Sequence, residues 1–271
     1  MMNRTMIEAY LKRIGCEDAA EVSIENLARL QEGHLKHIPY ENIDFVAGKG
    51  PSSLEIPDMF DRIIVKKRGG FCFELNGLLA ELLRSLGYGV EEYFARWHFG
   101  CPDAIPLRRH RILKVFAEGA AFLVDAGVGC LCPLHPLKFQ EDLIQPRNGR
   151  DYRIVRDSRF GFVVETAVAE GFVPYFSFTP DPHFPQDFFY VHYYCSSAPE
   201  SVFCRQLMAH IYTENGRVSI EDKTSEDGGY LLRTSLPDGS VEDTPIDITD
   251  IPSVLKENFG IVIDKFERAV R

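Results

Sequence analysis

The chain has 271 residues, near the size at which one hydrophobic core stops growing, and 45% of them are apolar and 26% charged. That composition excludes disorder, collagen and coiled coil. With 40 acidic against 30 basic residues the formal net charge is −10, so nucleic acid and anionic membrane are not expected partners, and an anionic ligand needs a local basic patch.

In chain order, charges interrupt the N-terminal segment before any apolar stretch long enough for a signal peptide. No run approaches the roughly 20 apolar residues that span a bilayer. Ser23 reads as an N-cap, and Ile24, Leu27, Leu30, Leu35 and Ile38 form an apolar stripe that Pro39 ends. After Gly69-Gly70, which let the backbone turn tightly, Leu75, Leu78, Leu79, Leu82, Leu83 and Leu86 recur at helical spacing until Gly87. The pattern then changes to short strands over Val90–Phe99, Arg109–Phe116, Ala121–Asp125, Tyr152–Val155 and Phe160–Thr166. Asn215-Gly216 and Asp238-Gly239 signal two hairpins, and a short helix follows Asp250 with Pro252 in its first turn. Helices, then strands, then a small mixed segment predict an α+β protein. The seven cysteines are odd in number and scattered, as in a reduced, cytoplasmic protein with mostly buried thiols.

The segment Arg68-Gly69-Gly70-Phe71-Cys72-Phe73-Glu74-Leu75-Asn76 puts Cys72 in a first helical turn. Unpaired N–H groups and the helix dipole there favour a thiolate, which is the nucleophilic form. A base comes from the next strands. Arg109–Phe116 and Phe122–Asp125 are joined by Ala117-Glu118-Gly119-Ala120. A two-residue turn at Glu118-Gly119 makes His110 and Asp125 same-face diagonal neighbours, and a four-residue loop places them directly opposite. A three-residue loop puts them on different faces. In the first two registers the chain has a nucleophile, a base and an orienting carboxylate in Cys72, His110 and Asp125. His34, His37, His135, His183 and His192 read as packed or solvated. Cys130-Leu131-Cys132 with His135 lacks zinc-site spacing, so no metal is expected. Asp125-Ala126-Gly127-Val128-Gly129 lacks the third glycine and the helix of a dinucleotide fingerprint.

With these residues in order, the chain resembles the arylamine N-acetyltransferases along nearly its whole length. The family's R-G-G-x-C-[F/Y]-E-x-N segment corresponds to Arg68–Asn76, its histidine strand to His110–Val115, and its V-D-x-G-x-G segment to Val124–Gly129. Tyr10–Gly15, Ile38–Asp44 and Ser197–Phe203 match further segments. The resemblance implies a helical bundle over residues 1–88 that carries the cysteine, a β-barrel over 89–198 that carries histidine and aspartate, and an α/β lid over 199–271. It implies a core like that of a cysteine protease and no metal. The reaction implied is acetyl transfer from acetyl-coenzyme A through an acetyl-cysteine to a small aromatic amine, hydrazine or hydroxylamine. Tyr40, Phe71, Arg109, Val128 and Gly129 are the implied binding residues, and Glu41 with Arg68 the implied brace of the catalytic segment. The chain departs from the family at Arg109 (usually Thr or Ser), Val128 (often Phe), Tyr40 (commonly Phe) and Cys130 (usually Gly). Arg108, Arg109 and Arg111 are the candidate basic patch for coenzyme phosphates, against a simple solvated face. The alternatives are an amide synthase of the same fold, a peptidase or transglutaminase-like hydrolase with the same Cys-His-Asp order, and a non-enzymatic binding protein.

Overall fold

The computed structural model describes residues 1–101, 104–129, 132–223, 229–236 and 238–269. Helix α1 (Arg4–Arg13) starts at Asn3, whose side chain accepts the Met6 N–H. Helix α2 (Ile24–His37) starts at Ser23, whose hydroxyl accepts the Asn26 N–H at 3.0 Å, as an N-cap should. Pro39 ends it by forcing Ile38 into extended backbone. The chain continues as a two-residue strand β1 (Tyr40–Glu41), then α3 (Ile43–Val46) and α4 (Ile56–Phe60), which runs on through a π-helical turn at Asp61–Val65. Helix α5 (Cys72–Leu86) is the buried centre of this region. Leu75, Leu78, Leu79, Leu82 and Leu83 are solvent-free, and Gly87 takes φ 102° to stop the helix.

Eight antiparallel strands follow: β2 (Gly89–Trp97), β3 (Arg108–Ala117), β4 (Ala120–Val124), β5 (Leu137–Lys138), β6 (Gln145–Arg147), β7 (Arg150–Asp157), β8 (Gly161–Val168) and β9 (Gly171–Phe178). Their order across the sheet is β5-β4-β3-β2-β9-β8-β7-β6, and the sheet curls almost shut. The Gln145 side chain bridges the two ends, accepting the Lys138 N–H at 2.7 Å and donating to the Lys138 carbonyl at 3.0 Å. Tyr93, Ile112, Tyr152, Ile154, Val164 and Phe176 fill a core of their own between these strands. Proline is confined to strand positions that need no ladder donor, and Pro174 of β9 sits where the β8–β9 register shifts.

The hairpin register is the two-residue one. Glu118 and Gly119 both have positive φ, 50° and 75°, and Ala117 pairs with Ala120. Those angles fit the type of turn whose twist matches paired strands. The ladder runs back to Leu113 opposite Val124, so the next step sets Ile112 opposite Asp125 and His110 diagonal to it.

Beyond the barrel lie α6 (Phe188–Ser197), α7 (Val202–Arg205), then β10 (Met208–Thr213), β11 (Gly216–Asp222), β12 (Tyr230–Ser235), β13 (Val241–Ile246) and α8 (Ile251–Phe259). With β1 the last four strands form a five-stranded sheet in the order β1-β10-β11-β12-β13. Helix α8 packs Ile251, Leu255 and Phe259 with Ile220, Tyr230 and Ile246 in a second separate core. Both expected hairpins form. In the first, Thr213 pairs with Gly216, so the loop is Glu214-Asn215, one residue earlier than the Asn-Gly signal. The N-terminal strand β1 joins this sheet through Tyr40 opposite His210, and it also bridges to Gly70. Among the described residues no helix is long and apolar enough to cross a membrane.

Candidate active site

Cys72 is the first residue of α5 and is nearly solvent-free. The Glu74 carboxylate reaches back to accept the Phe71 N–H at 3.0 Å, which closes the helix start. Neither Gly69 nor Gly70 has a positive φ; the left-handed residue of this loop is Lys67, at φ 53°. The tight turn expected of the paired glycines is therefore corrected to a steric requirement. A Cβ on Gly69 would lie 2.0 Å from the Pro39 carbonyl oxygen, so only glycine lets this loop lie against the segment leading into β1. The loop is held by a buried ionic cluster. Glu41 Oε1 accepts from Arg62 at 2.9 Å and from Arg68 at 2.8 Å, and Asp44 Oδ2 accepts from the same two at 2.6 and 3.2 Å. Burial opposes ionisation of Asp44, but the two guanidiniums outweigh it and hold its carboxyl well below the usual range. Glu41 and Arg68 do pair; Arg62, unmarked in the sequence, ties the same cluster to the Gly69 carbonyl at 3.1 Å.

Residues from three elements meet beside Cys72. His110 Nε2 lies 2.6 Å from Asp125 Oδ2, both side chains buried, and His110 and Cys72 line the same cavity. Burial alone would lower the imidazole pKa, but the charge and hydrogen bond of Asp125, with Cys72, raise it to about 10. Cys72 Sγ is 3.7 Å from the Arg109 carbonyl oxygen. Arg109 is the extra residue of a bulge: Ala95 pairs with His110 while Arg96 pairs with Arg108. Bulges re-aim side chains, and here the neighbours Arg109 and His110 both face the cleft. The Trp97 ring stands edge-on to His110 at 5.8 Å.

Asp125 has further partners. Its Oδ1 accepts from Asn76 Nδ2 at 2.8 Å and from the Gly127 N–H at 2.9 Å. Asn76 also donates to the Arg111 carbonyl at 2.5 Å and accepts the Ala126 N–H at 2.9 Å. It therefore joins α5, β3 and the end of β4 at one amide. The signal for it was present, because Asn76 lies four residues after Cys72 and so on the same helical face. Gln31, which accepts the Asp125 N–H at 3.4 Å and donates to the Pro133 carbonyl at 2.7 Å, had no such signal.

A cavity of about 360 Å³ opens onto Cys72 and His110. Tyr40, Arg109, Val128 and Gly129 line it, as do Trp97, Phe203, Met208, His210 and residues 220–223. Asp125 is buried behind His110. Phe71 is not in the wall; it is fully buried and packs on Phe45, Phe73 and Phe203. The basic patch divides three ways. Arg109 faces the cleft, with its guanidinium 5.4 Å from the Phe203 ring centre. Arg108 lines a different cavity. Arg111 is corrected from patch to core: it is buried, pairs with Glu92 and donates to the Phe73 carbonyl at 2.8 Å. The other histidines sit as packing or surface groups. His34 is buried, His192 lies 2.8 Å from the Ser52 carbonyl, and His135 pairs with Glu32 at 2.9 Å. Cys130 lies outside the described residues; Cys132 is buried, with its N–H donated to the Tyr212 hydroxyl.

The model of the N-acetyltransferase family matches residues 23–268. An arylamine N-acetyltransferase of Mycobacterium tuberculosis is 31% identical over 97% of this chain and 92% of that one. A Salmonella typhimurium arylamine N-acetyltransferase / N-hydroxyarylamine O-acetyltransferase is 30% identical over 56% of this chain and 54% of its own. The solved structure of the Mycobacterium marinum arylamine N-acetyltransferase in complex with CoA aligns with a TM-score of 0.85 at 26% identity, covering 94% of this chain and 92% of that one.

Proposed function

The chain belongs to the arylamine N-acetyltransferase family, and from that premise we propose that it transfers acetyl from acetyl-coenzyme A to arylamines and arylhydrazines, and to the oxygen of arylhydroxylamines, through an acetyl group carried on Cys72. The enzyme is an acyltransferase. The family match along residues 23–268 sets aside a peptidase or transglutaminase-like hydrolase. The observation that carries the proposal is the His110–Asp125 pair at 2.6 Å, set against Cys72 at the floor of the cleft.

Cys72 Sγ attacks the thioester carbonyl, and its proton resides on His110. Asp125 fixes the ring's orientation and stabilises the imidazolium. As the tetrahedral adduct collapses, the carbon–sulfur bond to the coenzyme breaks, and His110 returns the proton to the departing thiolate. Acetyl-Cys72 remains. The amine then attacks that thioester, its proton passes to His110, and Cys72 leaves as the thiolate. The first step exchanges one thioester for another and the second spends the thioester's energy on forming the amide, so the covalent intermediate divides one transfer into two easier ones. Backbone N–H groups near Cys72 serve as the oxyanion donors. One cleft serves both substrates, so the coenzyme departs before the amine enters. Tyr40, Arg109, Val128 and Gly129 form the wall each meets, and Phe71 supports the helix start from beneath. The chemistry needs no metal.

The working division of the chain is 1–88, 89–198 and 199–271. The scattered, odd-numbered cysteines support a cytoplasmic location, and the charge balance the absence of nucleic-acid and anionic-membrane partners. Intact-mass spectrometry after mixing with acetyl-coenzyme A alone tests the proposed acetyl transfer. One acetyl adduct is expected on the native chain and none on Cys72→Ala. Parallel double-reciprocal lines should accompany the adduct; turnover without any adduct removes the covalent route.

A further inference from the structure

Trp97 and Arg109 line the catalytic cleft, but their chain neighbours Arg96 and Arg108 line a second cavity of about 210 Å³. Successive strand residues face opposite ways, so the two cavities lie on opposite sides of the same strand pair. Arg96 is in register with Arg108 on β3 and with Ser177 on β9, which makes a row across three strands. Arg159, from the turn between β7 and β8, joins the row, and Phe160 and Phe178 supply an apolar floor.

Like charges directly opposite each other weaken an antiparallel pair. Among the described residues no carboxylate pairs with them. Arg96 donates to the Pro106 carbonyl at 2.6 Å, Arg108 to the Thr179 hydroxyl at 3.2 Å, and Arg159 lies over the Phe160 ring at 5.2 Å. Asp157, in the same turn as Arg159, uses its Oδ1 for the N–H groups of Arg159 and Phe160. Burial and then the charges of Arg108 and Arg159 hold the Arg96 guanidinium below its ordinary pKa, the mark of cations crowded without a counter-ion. Three other barrel arginines are paired, Arg111 with Glu92, Arg153 with Glu165 and Arg156 with Glu141, while Arg147 donates only to backbone carbonyls. A chain with net charge −10 does not lack carboxylates to place here. We propose that this cavity is an anion site that takes a phosphate or diphosphate group, gripped by Arg96, Arg108 and Arg159 with the Ser177 hydroxyl beside them. Guanidinium forks match such oxygens with paired, charge-assisted hydrogen bonds.

Isothermal titration of the full chain with sodium pyrophosphate tests the site. Saturable binding is expected, weakened by about tenfold for each guanidinium removed in Arg159→Gln and Arg108→Gln. Arg159 is exposed in a turn, so its variant keeps the test readable if the strand variant melts early. No saturable binding by the native chain, or binding by both variants as tight as by the native chain, overturns the proposal. A second measurement separates two sources of the phosphate, and it alone depends on the proposed acetyl transfer. If pyrophosphate raises the KM for acetyl-coenzyme A in the native chain but not in Arg159→Gln, the coenzyme's own phosphates occupy the cavity. If it binds there and leaves KM unchanged, the occupant is a separate phosphorylated molecule.

Discussion

Cys72 and His110, the proposed nucleophile and base, are held in place by different physics. Cys72 starts a helix whose preceding loop is pinned by Glu41, Asp44, Arg62 and Arg68, charges that come from well apart in the sequence and meet only in the folded chain. His110 and Asp125 lie on one hairpin, whose ladder from Leu113 to Ala117 holds their register and closes in a two-residue turn with two positive φ values. One half of the site is thus specified by local chain geometry, and the other by a long-range electrostatic clamp. Local geometry withstands single substitutions that leave the turn intact. A clamp of buried charges fails when one member is removed, because its partners are left desolvated.

The sharpest way to probe the hairpin half is Asp125→Asn. The fold should persist, but acetylation of Cys72 should slow by about 10⁴-fold, the scale of such a change in related triads. Alkylation of Cys72 by iodoacetamide at neutral pH should slow as well. The pH dependence sharpens this further. The folded His110 pKa, near 10, lies above the ordinary 6.5, so the folded state holds the extra proton between those values. The stability this confers is complete below about 6.5 and is lost as the pH climbs through about 10. The native melting temperature should therefore fall across that window, and less steeply in Asp125→Asn. An unchanged alkylation rate together with a lowered melting temperature would assign Asp125 to structure and leave a Cys–His pair.

The clamp is tested by Glu41→Gln, which leaves Arg62 and Arg68 short of a charge. Both guanidiniums retain some solvent, so the loss should sit at the lower end for a broken buried pair, about 3 kcal/mol in urea unfolding. The acetylation rate per folded molecule should barely change. A large rate loss with unchanged stability would mean that the cluster acts on the chemistry directly.

Asn76 spans the two halves, so Asn76→Ala should blur the contrast between them. Losing the amide that holds Asp125 at 2.8 Å misplaces the base by a fraction of an ångström. A drop in acetylation rate of about 10²-fold with KM for acetyl-coenzyme A unchanged is expected. A shift in KM alone would make Asn76 a cleft residue instead. The smallest effect belongs to the turn. Gly119→Ala should cost about 1 kcal/mol, because φ of 75° is unfavourable for any residue with a Cβ. Its acetylation rate should stay native, since the register is held by the ladder from Leu113 to Ala117. Loss of activity there would mean that the turn, and not the ladder, sets the register.

What the sequence determined by itself was whatever depends on neighbours within a few residues. Ser23 as a cap, the leucine stripe of α5, Gly87 as its stop and the β3–β4 hairpin all follow from helical or strand period and turn chemistry, and each stands as read. The closeness of Cys72, His110 and Asp125 was expected the same way, from a helix start and one hairpin, though the loop length that decides between registers came only with the fold. Tertiary structure decided the rest. Strand β9 and helix α6 were not expected: β9 carries Pro174, and α6 is an aromatic run whose period shows only when its packing partners are known. Arg108, Arg109 and Arg111 look alike in the sequence, yet one bulge and one buried glutamate send them to an anion cavity, the catalytic cleft and the core. Glycine at position 69 was legible as special but not for its reason, since a steric contact with Pro39 exists only once two distant segments meet. Short-range sterics are written in consecutive residues. Charge pairing, bulges and close approach depend on what the folded chain brings alongside.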